Sequence, residues 1–138
     1  MMSKLTLVIG NKNYSSWSLR PWILMKYANL QFIEKHIPLF QITTNVELAP
    51  YFSNHKVPVL VDDDLVIWDS LSIMDYISDQ YLNANGWPRD VKAKALARSI
   101  SAEMHSSFSH LRNELPLNCR KQFTNFELSD GAKKDVQR

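Results

Sequence analysis

The sequence is poor in cysteine and has no long hydrophobic run. Cys119 is the single cysteine among 138 residues, so the chain has neither an internal disulfide nor a Cys-x-x-Cys dithiol centre. Lys and Arg number 16 against 14 Asp and Glu, and no basic block of the kind that favours nucleic acid is present. No stretch approaches the roughly 20 apolar residues that span a bilayer. These absences predict a soluble, cytoplasmic protein without a nucleic-acid or membrane partner.

The histidines give no indication of a metal site. The four of them do not follow a metal-ligand spacing, and a single cysteine adds no ligand pair; they are His36, His55, His105 and His110. We therefore expect no metal cofactor.

The first 83 residues alternate between strand and helix patterns. Short apolar, β-branched segments predict four strands, at Lys4–Ile9, Phe32–Ile37, Val57–Val61 and Leu65–Trp68. Helical spacing predicts a helix over about 19–29, in which Pro21 is tolerated only within the first turn. A short helix is expected around 46–51, and another helix is capped by Asp69 or Ser70. The first two strands should be parallel, and the last two should form an antiparallel hairpin.

The remainder of the chain has a helical pattern only. Residues 83–90 are rich in turn formers and predict a linker. Asp90 is a suitable N-cap for a long helix over 91–115 with an apolar stripe, which Pro116 would end. Ser129 or Asp130 could start a further helix that the last residue cuts short. We therefore expect an α/β domain at 1–83 and an incomplete all-α domain at 90–138.

Three segments carry polar residues at the ends of predicted elements. They are Asn13-Tyr14-Ser15-Ser16-Trp17-Ser18-Leu19-Arg20-Pro21-Trp22, Lys56-Val57-Pro58-Val59-Leu60-Val61 and Trp68-Asp69-Ser70-Leu71-Ser72-Ile73. In this order and spacing they resemble the N-terminal domain of the glutathione transferase family. The serine-rich first segment looks most like the zeta-type and related bacterial branches. The resemblance implies a thioredoxin-like βαβ-α-ββα domain with glutathione as its co-substrate.

The resemblance assigns the thiol chemistry to Ser15, with Ser16 as the close second and Ser18 as a weaker candidate. A thiolate is a far better nucleophile than a thiol, and a free cysteine thiol has a pKa of about 8.5. A hydroxyl donor beside the sulfur, at the positive end of a helix, stabilises that anion. The alternative is that all three serines only cap the helix or line the loop.

The other two segments would bind the rest of the tripeptide. The resemblance implies a cis Val57–Pro58 peptide, with the backbone of Val57 pairing with the cysteinyl part of glutathione. Ser70 would bind the γ-glutamyl carboxylate at a helix N-terminus, and Asp69 would accept from its ammonium group. Lys56 would pair with the glycine carboxylate, and His55 and Gln41 are weaker candidates. An ordinary strand proline, a plain N-cap pair and a surface lysine are the alternatives.

The leading functional hypothesis is a transferase that activates glutathione for attack on a small electrophile. Glutathione-dependent isomerisation of a maleyl-type substrate is an alternative, although Trp17 stands where the zeta pattern has cysteine. A non-catalytic interaction module is a third possibility, favoured by the short helical domain. The resemblance also implies a homodimer formed through the sheet-domain helix and the long helix.

Overall fold

The computed structural model describes residues 5–51 and 54–138. The helices and strands occur in the order β1 (Leu5–Ile9), α1 (Ser16–Tyr27), β2 (Ile33–His36), α2 (Thr44–Leu48), β3 (Val59–Asp62), β4 (Leu65–Trp68), α3 (Ser70–Tyr81), α4 (Val91–Ser106), α5 (Ser109–Glu114) and α6 (Asp130–Gln137). A short 3₁₀ turn at Ala49–Tyr51 follows α2. Lys4, the first residue of the predicted β1, lies outside the described residues. The chain divides into two compact units between Trp87 and Pro88.

The first unit contains a four-stranded mixed sheet with the strand order β2-β1-β3-β4. β1 and β2 are parallel, and β3 runs antiparallel to both β1 and β4. The predicted parallel pair and the predicted hairpin are both confirmed. The thioredoxin-like order βαβαββα, followed by a few helices, is therefore the fold of this chain.

The core lies on both faces of the sheet, because successive side chains of a strand point to opposite sides. On one face, β1 and β3 pack against α1 and α3 through Leu5, Leu7, Ile9, Met25, Leu60, Ile73 and Ile77. On the other face, Val8 and Val59 pack with Ile37 and with Leu48 of α2. The central strand β1 is thus covered on both sides, and its carboxyl end is held in place by both layers.

Two helix predictions were wrong in their limits. α1 begins at Ser16 rather than at about residue 19, so Pro21 lies beyond the first turn, where its missing N–H costs the helix a hydrogen bond. The expected helix over 91–115 is broken at Ser107 and Phe108, of which the second has a left-handed backbone (φ 64°). After the break, the backbone N–H of Leu111 donates to Asp135 of α6 (3.0 Å). The contact between α5 and α6 therefore overrides a continuous helical pattern.

The connecting segment after α3 is attached to α3 itself. The indole N–H of Trp87 donates to Asp75 Oδ1 (2.6 Å), and the backbone N–H of Gly86 donates to Ser78 Oγ (3.1 Å). A Cβ added at Gly86 would lie 2.7 Å from Ser78 Cβ, so the close approach requires glycine. Among the described residues, no helix combines the length and the apolar character needed to cross a membrane.

The edge strand β2 carries a partly exposed cluster of charged side chains centred on Glu34. Lys12 Nζ lies 2.8 Å from Glu34 Oε2, and Lys26 Nζ lies 3.1 Å from Oε1. The indole of Trp22 donates to Oε1 at 2.8 Å, and His36 Nε2 lies 3.5 Å from Oε2. Burial raises the pKa of Glu34, but the hydrogen bonds from Lys12, Trp22 and Lys26 outweigh it and lower the pKa to about 2. The cluster ties the loop before α1 to both α1 and the sheet.

Glu34→Gln is expected to destabilise the protein by about 1–2 kcal/mol at pH 7, since the carboxylate is partly open to solvent and its interactions are screened. The pKa of Glu34 is lower in the folded state than its ordinary value of 4.5. The stabilisation that Glu34 gives to the folded state is therefore complete above pH 4.5 and is lost as the pH falls toward about 2. Urea unfolding of the unmodified chain and of Glu34→Gln, measured from pH 7 to pH 3, should show a difference in the free energy of unfolding that becomes smaller below pH 4.5. Asp79→Asn, a substitution of an exposed residue on α3, is the control. If the difference in stability between the unmodified chain and Glu34→Gln did not depend on pH, the lowered pKa of Glu34 would be contradicted.

Candidate functional site

The strand register brings the three polar segments to one end of the sheet. Val8 of β1 pairs with Val59 of β3, and Val59 pairs with Trp68 of β4. Since β3 is antiparallel to its neighbours, β1 and β4 finish at the end where β3 begins. Ser15 follows β1, Val57 precedes β3, and Ser70 follows β4 at this same end, which we call the Ser15 end.

Ser15 is the N-cap of α1 and lies at the Ser15 end with only 8% of its surface exposed. Its Oγ lies 2.9 Å from Ser18 Oγ and 3.4 Å from the backbone N of Ser18. Ser16 is the first residue of the helix and is partly exposed. The hydroxyl of Ser15 therefore sits at the positive end of a 12-residue helix, where an anion is favoured.

Gly10 allows the loop before α1 to pack closely. Its backbone N–H donates to Ser18 Oγ (3.1 Å). A Cβ added at Gly10 would lie 2.5 Å from Leu39 Cδ1 and 3.4 Å from Ser15 Cβ. The strand thus ends against Leu39 and the Ser15 turn.

Ser70 is the first residue of α3, and its hydroxyl lacks a hydrogen-bond partner among the residues that the structure describes. The residue is 1% exposed. A buried hydroxyl without a partner is costly and uncommon in folded proteins. Its place at the N-terminus of a 12-residue helix makes a negatively charged ligand group the fitting partner.

Asp69 is the N-cap of α3, as the plain capping interpretation predicts. Its Oδ1 accepts from the backbone N–H groups of Leu71 (2.9 Å) and Ser72 (3.3 Å). Its backbone has φ 75° and ψ 128°, a conformation that costs a non-glycine residue about 1–3 kcal/mol and is concentrated at functional sites. The side chain is exposed, and a capping carboxylate can accept further hydrogen bonds.

The segment before β3 contains the predicted cis peptide. The bond between Val57 and Pro58 is cis, as the resemblance implied. Val57 is partly buried and packs against the core with Leu48 and Val59, whereas Lys56 is exposed. The turn that precedes it is held by His55 Nδ1, which lies 3.0 Å from the backbone oxygen of Asn45. β3 begins at Val59, two residues later than predicted.

The two tryptophans of α1 have different surroundings. Trp17 is partly exposed on the first turn, and the Arg20 guanidinium lies 4.2 Å from its ring centroid. Trp22 packs against the core on the sheet side and donates to Glu34. Trp17 therefore belongs to the Ser15 end, while Trp22 supports the helix from beneath. Within residues 5–51 and 54–138, no group of three or more His, Cys, Asp or Glu side chains is arranged to hold a metal.

Sequence reasoning gave too little weight to Ser18 and gave none to Leu39. Ser18 is fully buried and contacts both Ser15 and Gly10. Its position three residues after an N-cap serine was the available signal, because that is the spacing at which a cap contacts the first turn. Leu39 approaches Gly10 through the tertiary fold, and no local pattern marks it.

The chain is similar in sequence to one family model and to several curated proteins. Residues 14–80 match the family model "Glutathione S-transferase, N-terminal domain". A probable maleylacetoacetate isomerase from Caenorhabditis elegans is 30% identical over 99 residues, which are 72% of this chain and 46% of that protein. The matched regions are 23% to 52% of the lengths of the curated relatives. The chain therefore corresponds to about half of such a protein or less.

Solved structures share the fold at lower identity. A Tau class glutathione S-transferase from mango, Mangifera indica, is 20% identical with a TM-score of 0.69, covering 97% of this chain and 56% of that one. A theta class enzyme from the citrus canker pathogen Xanthomonas axonopodis pv. citri, solved with glutathione bound, is 24% identical with a TM-score of 0.67. That match covers 83% of this chain and 54% of the other.

Proposed function

Because this chain belongs to the glutathione S-transferase family, we propose that it binds glutathione at the Ser15 end and activates the thiol for attack on a small electrophile. The proposal concerns the chemistry of the first unit. The tripeptide would lie across the ends of β1, β3 and β4, with its sulfur near α1 and its γ-glutamyl group near α3.

The observation that carries this proposal is the buried hydroxyl of Ser70. It has no hydrogen-bond partner among the described residues, and it lies at the start of α3. A ligand carboxylate would accept a hydrogen bond from this hydroxyl and would be stabilised by the helix dipole at the same point. The γ-glutamyl group of glutathione offers such a carboxylate beside an ammonium group.

The neighbouring residues supply the remaining contacts of this proposal. Asp69 would accept from the ammonium group with its exposed carboxylate while it continues to cap α3. Val57 would pair through its backbone with the cysteinyl residue, as an added strand does, with Pro58 fixing the chain direction. Lys56, on the exposed turn before Val57, would pair with the glycine carboxylate.

Ser15 would donate to the glutathione sulfur, and Ser16 is the second candidate for this role. A hydroxyl donor at a helix N-terminus favours the thiolate over the thiol and so lowers the pKa of the bound thiol. The sulfur would then attack the electrophilic carbon, forming a C–S bond as the leaving group departs with its electron pair. The first unit supplies a negative-charge stabiliser, and glutathione supplies the nucleophile.

Titration calorimetry with glutathione tests the binding step, and ultraviolet absorbance of the bound thiolate tests its activation. Binding should depend on the γ-glutamyl group, so glutathione should bind and cysteinylglycine, which lacks that group, should not. The thiolate should form at a lower pH in the complex than in free glutathione. A folded chain that fails to bind glutathione would support the non-catalytic interaction module instead.

Isomerisation of a maleyl-type substrate is the second candidate function. It is favoured by the 30% identity to a probable maleylacetoacetate isomerase and by the Ser15-Ser16 pair. Trp17 in place of the cysteine of the zeta pattern argues for conjugation. Turnover of a maleyl substrate with glutathione, without net consumption of glutathione, would decide for isomerisation.

A homodimer in the cytoplasm completes the proposal. The single cysteine suits a reducing compartment. Exposed apolar side chains on α4, namely Leu96, Ile100 and Met104, support self-association, because patches of this kind are commonly interaction sites. Sedimentation at micromolar concentration tests the dimer, and a monomer at all concentrations would contradict it.

A further inference from the structure

The hydroxyl of Ser18 is buried next to the hydroxyl of Ser15. Ser18 is 0% exposed, and its Oγ accepts from the backbone N–H of Gly10 at 3.1 Å. The Oγ atoms of Ser18 and Ser15 lie 2.9 Å apart. This arrangement fixes how the two hydroxyl protons can be distributed.

Only one proton can lie between the two oxygen atoms, since a serine hydroxyl carries a single proton and two acceptor lone pairs. The positions of the two oxygen atoms fit a hydrogen bond donated by Ser15 to Ser18, but the proton of Ser18 would then have no acceptor among the described residues. A buried donor left in that state costs about 1–3 kcal/mol. If Ser18 donates to Ser15, both the proton and the oxygen of Ser18 are satisfied. The second arrangement is therefore favoured.

In the favoured arrangement, the lone pairs of Ser15 Oγ accept hydrogen bonds, and the Ser15 proton remains available for donation to a ligand. Ser15 Oγ then accepts from the Ser18 hydroxyl and faces the Ser18 backbone N–H at 3.4 Å. A hydroxyl that accepts hydrogen bonds becomes a stronger donor, because neighbouring bonds polarise one another. Ser15 retains 8% exposure, so its proton can reach a ligand at the Ser15 end.

We infer that Ser18 is a positioning residue for the proposed thiol chemistry: its buried hydroxyl donates to Ser15 Oγ and directs the Ser15 proton toward the bound sulfur. This inference rests on the proposed function, in which Ser15 contacts the thiol. Ser18 itself does not touch the ligand. Its effect should therefore appear in the acidity of the bound thiol and should vanish when Ser15 lacks its hydroxyl.

The test is the ultraviolet titration of the glutathione thiolate bound to four proteins: the unmodified chain, Ser18→Ala, Ser15→Ala and the double variant. Ser18→Ala should lower the thiolate fraction about three- to tenfold at a pH below the thiol pKa, and the double variant should match Ser15→Ala alone. Glutathione affinity, measured by calorimetry at a pH where the thiol is neutral, should change little in Ser18→Ala.

Ser78→Ala is the matched structural control. Ser78 is also a buried serine, 1% exposed, whose Oγ accepts a backbone N–H, that of Gly86. Its loss removes a comparable hydrogen bond on α3 and should leave the thiolate fraction unchanged. If Ser18→Ala does not fold, Ser18→Cys gives the same expectation, since a thiol fills the site but donates weakly. Ser18→Thr, which keeps the hydroxyl, should have a thiolate fraction close to that of the unmodified chain.

The outcomes separate this inference from the function on which it rests. A lowered thiolate fraction in Ser15→Ala, with no change in Ser18→Ala or Ser18→Cys, would overturn the role of Ser18 and leave the proposed function intact. Additive effects in the double variant would also overturn it, because Ser18 would then act independently of Ser15. No change in Ser15→Ala would overturn this inference and take the donor role away from Ser15, while Ser16→Ala and glutathione binding would still test the proposed function.

Discussion

Ser15→Ala is expected to slow glutathione conjugation about a hundredfold, because the variant lacks one preorganised hydrogen-bond donor that would stabilise the glutathione thiolate. The hydroxyl lies at the N-terminus of α1. In the proposed complex, its loss removes the donor nearest the sulfur, while the helix dipole remains. Initial rates with a chromogenic chloronitrobenzene, at saturating glutathione, measure the change. The loss should be greatest at low pH, where the unassisted thiol is protonated.

Two further variants distinguish chemistry from folding in this experiment. Ser15 also caps α1, and replacing a cap by alanine costs about 0.5–2 kcal/mol of stability. Ser15→Thr keeps both the cap and the hydroxyl and should retain most of the rate. Ser16→Ala tests the second candidate. If Ser16→Ala loses the rate and Ser15→Ala keeps it, the donor role belongs to Ser16.

Ser70→Ala is expected to weaken glutathione binding about 10- to 100-fold, the range for a hydrogen bond to a charged group. Stability without glutathione should be unchanged or slightly higher, because the variant removes a buried hydroxyl that has no partner among the described residues. Most buried substitutions lower stability. The expected combination of weaker binding with an undiminished Tm is therefore diagnostic of a ligand-facing group.

Calorimetry with glutathione and thermal unfolding of the unliganded protein measure these two effects. Ser72→Ala is the control, since Ser72 lies on the same turn of α3 but is exposed. It should bind glutathione as tightly as the unmodified chain. Unchanged affinity in Ser70→Ala would place the γ-glutamyl carboxylate elsewhere and would remove the main support for the proposed site.

The sheet could be predicted from sequence because its signals are local. β4 has the predicted limits, Leu65–Trp68, since a short apolar run lies between three consecutive aspartates and an N-cap. The cis Val57–Pro58 peptide could be predicted only from the family resemblance, because neither isomer leaves a mark on composition. The positions of Ser15 and Ser70 after their strands follow from the strand order, but their roles remain predictions.

Features that depend on distant contacts could not be predicted. The stripe from Leu96 to Leu115 fits one helix, yet Phe108 adopts a left-handed backbone, and no glycine or proline marks the break. The donor of Leu111 finds its acceptor 24 residues away, in Asp135. The Glu34 cluster likewise joins charges from three separate segments. Such interactions decide local conformation but have no period in the sequence.

The segment after α3 sets the shortest first unit that could be produced alone. Trp87 and Gly86 are bonded to Asp75 and Ser78, so a fragment ending at residue 83 would expose one buried serine hydroxyl and one carboxylate that are now satisfied. A recombinant fragment should accordingly include Trp87. Residues 83–87 would therefore be part of the folded first unit, because their hydrogen bonds satisfy polar side chains in the second half of α3.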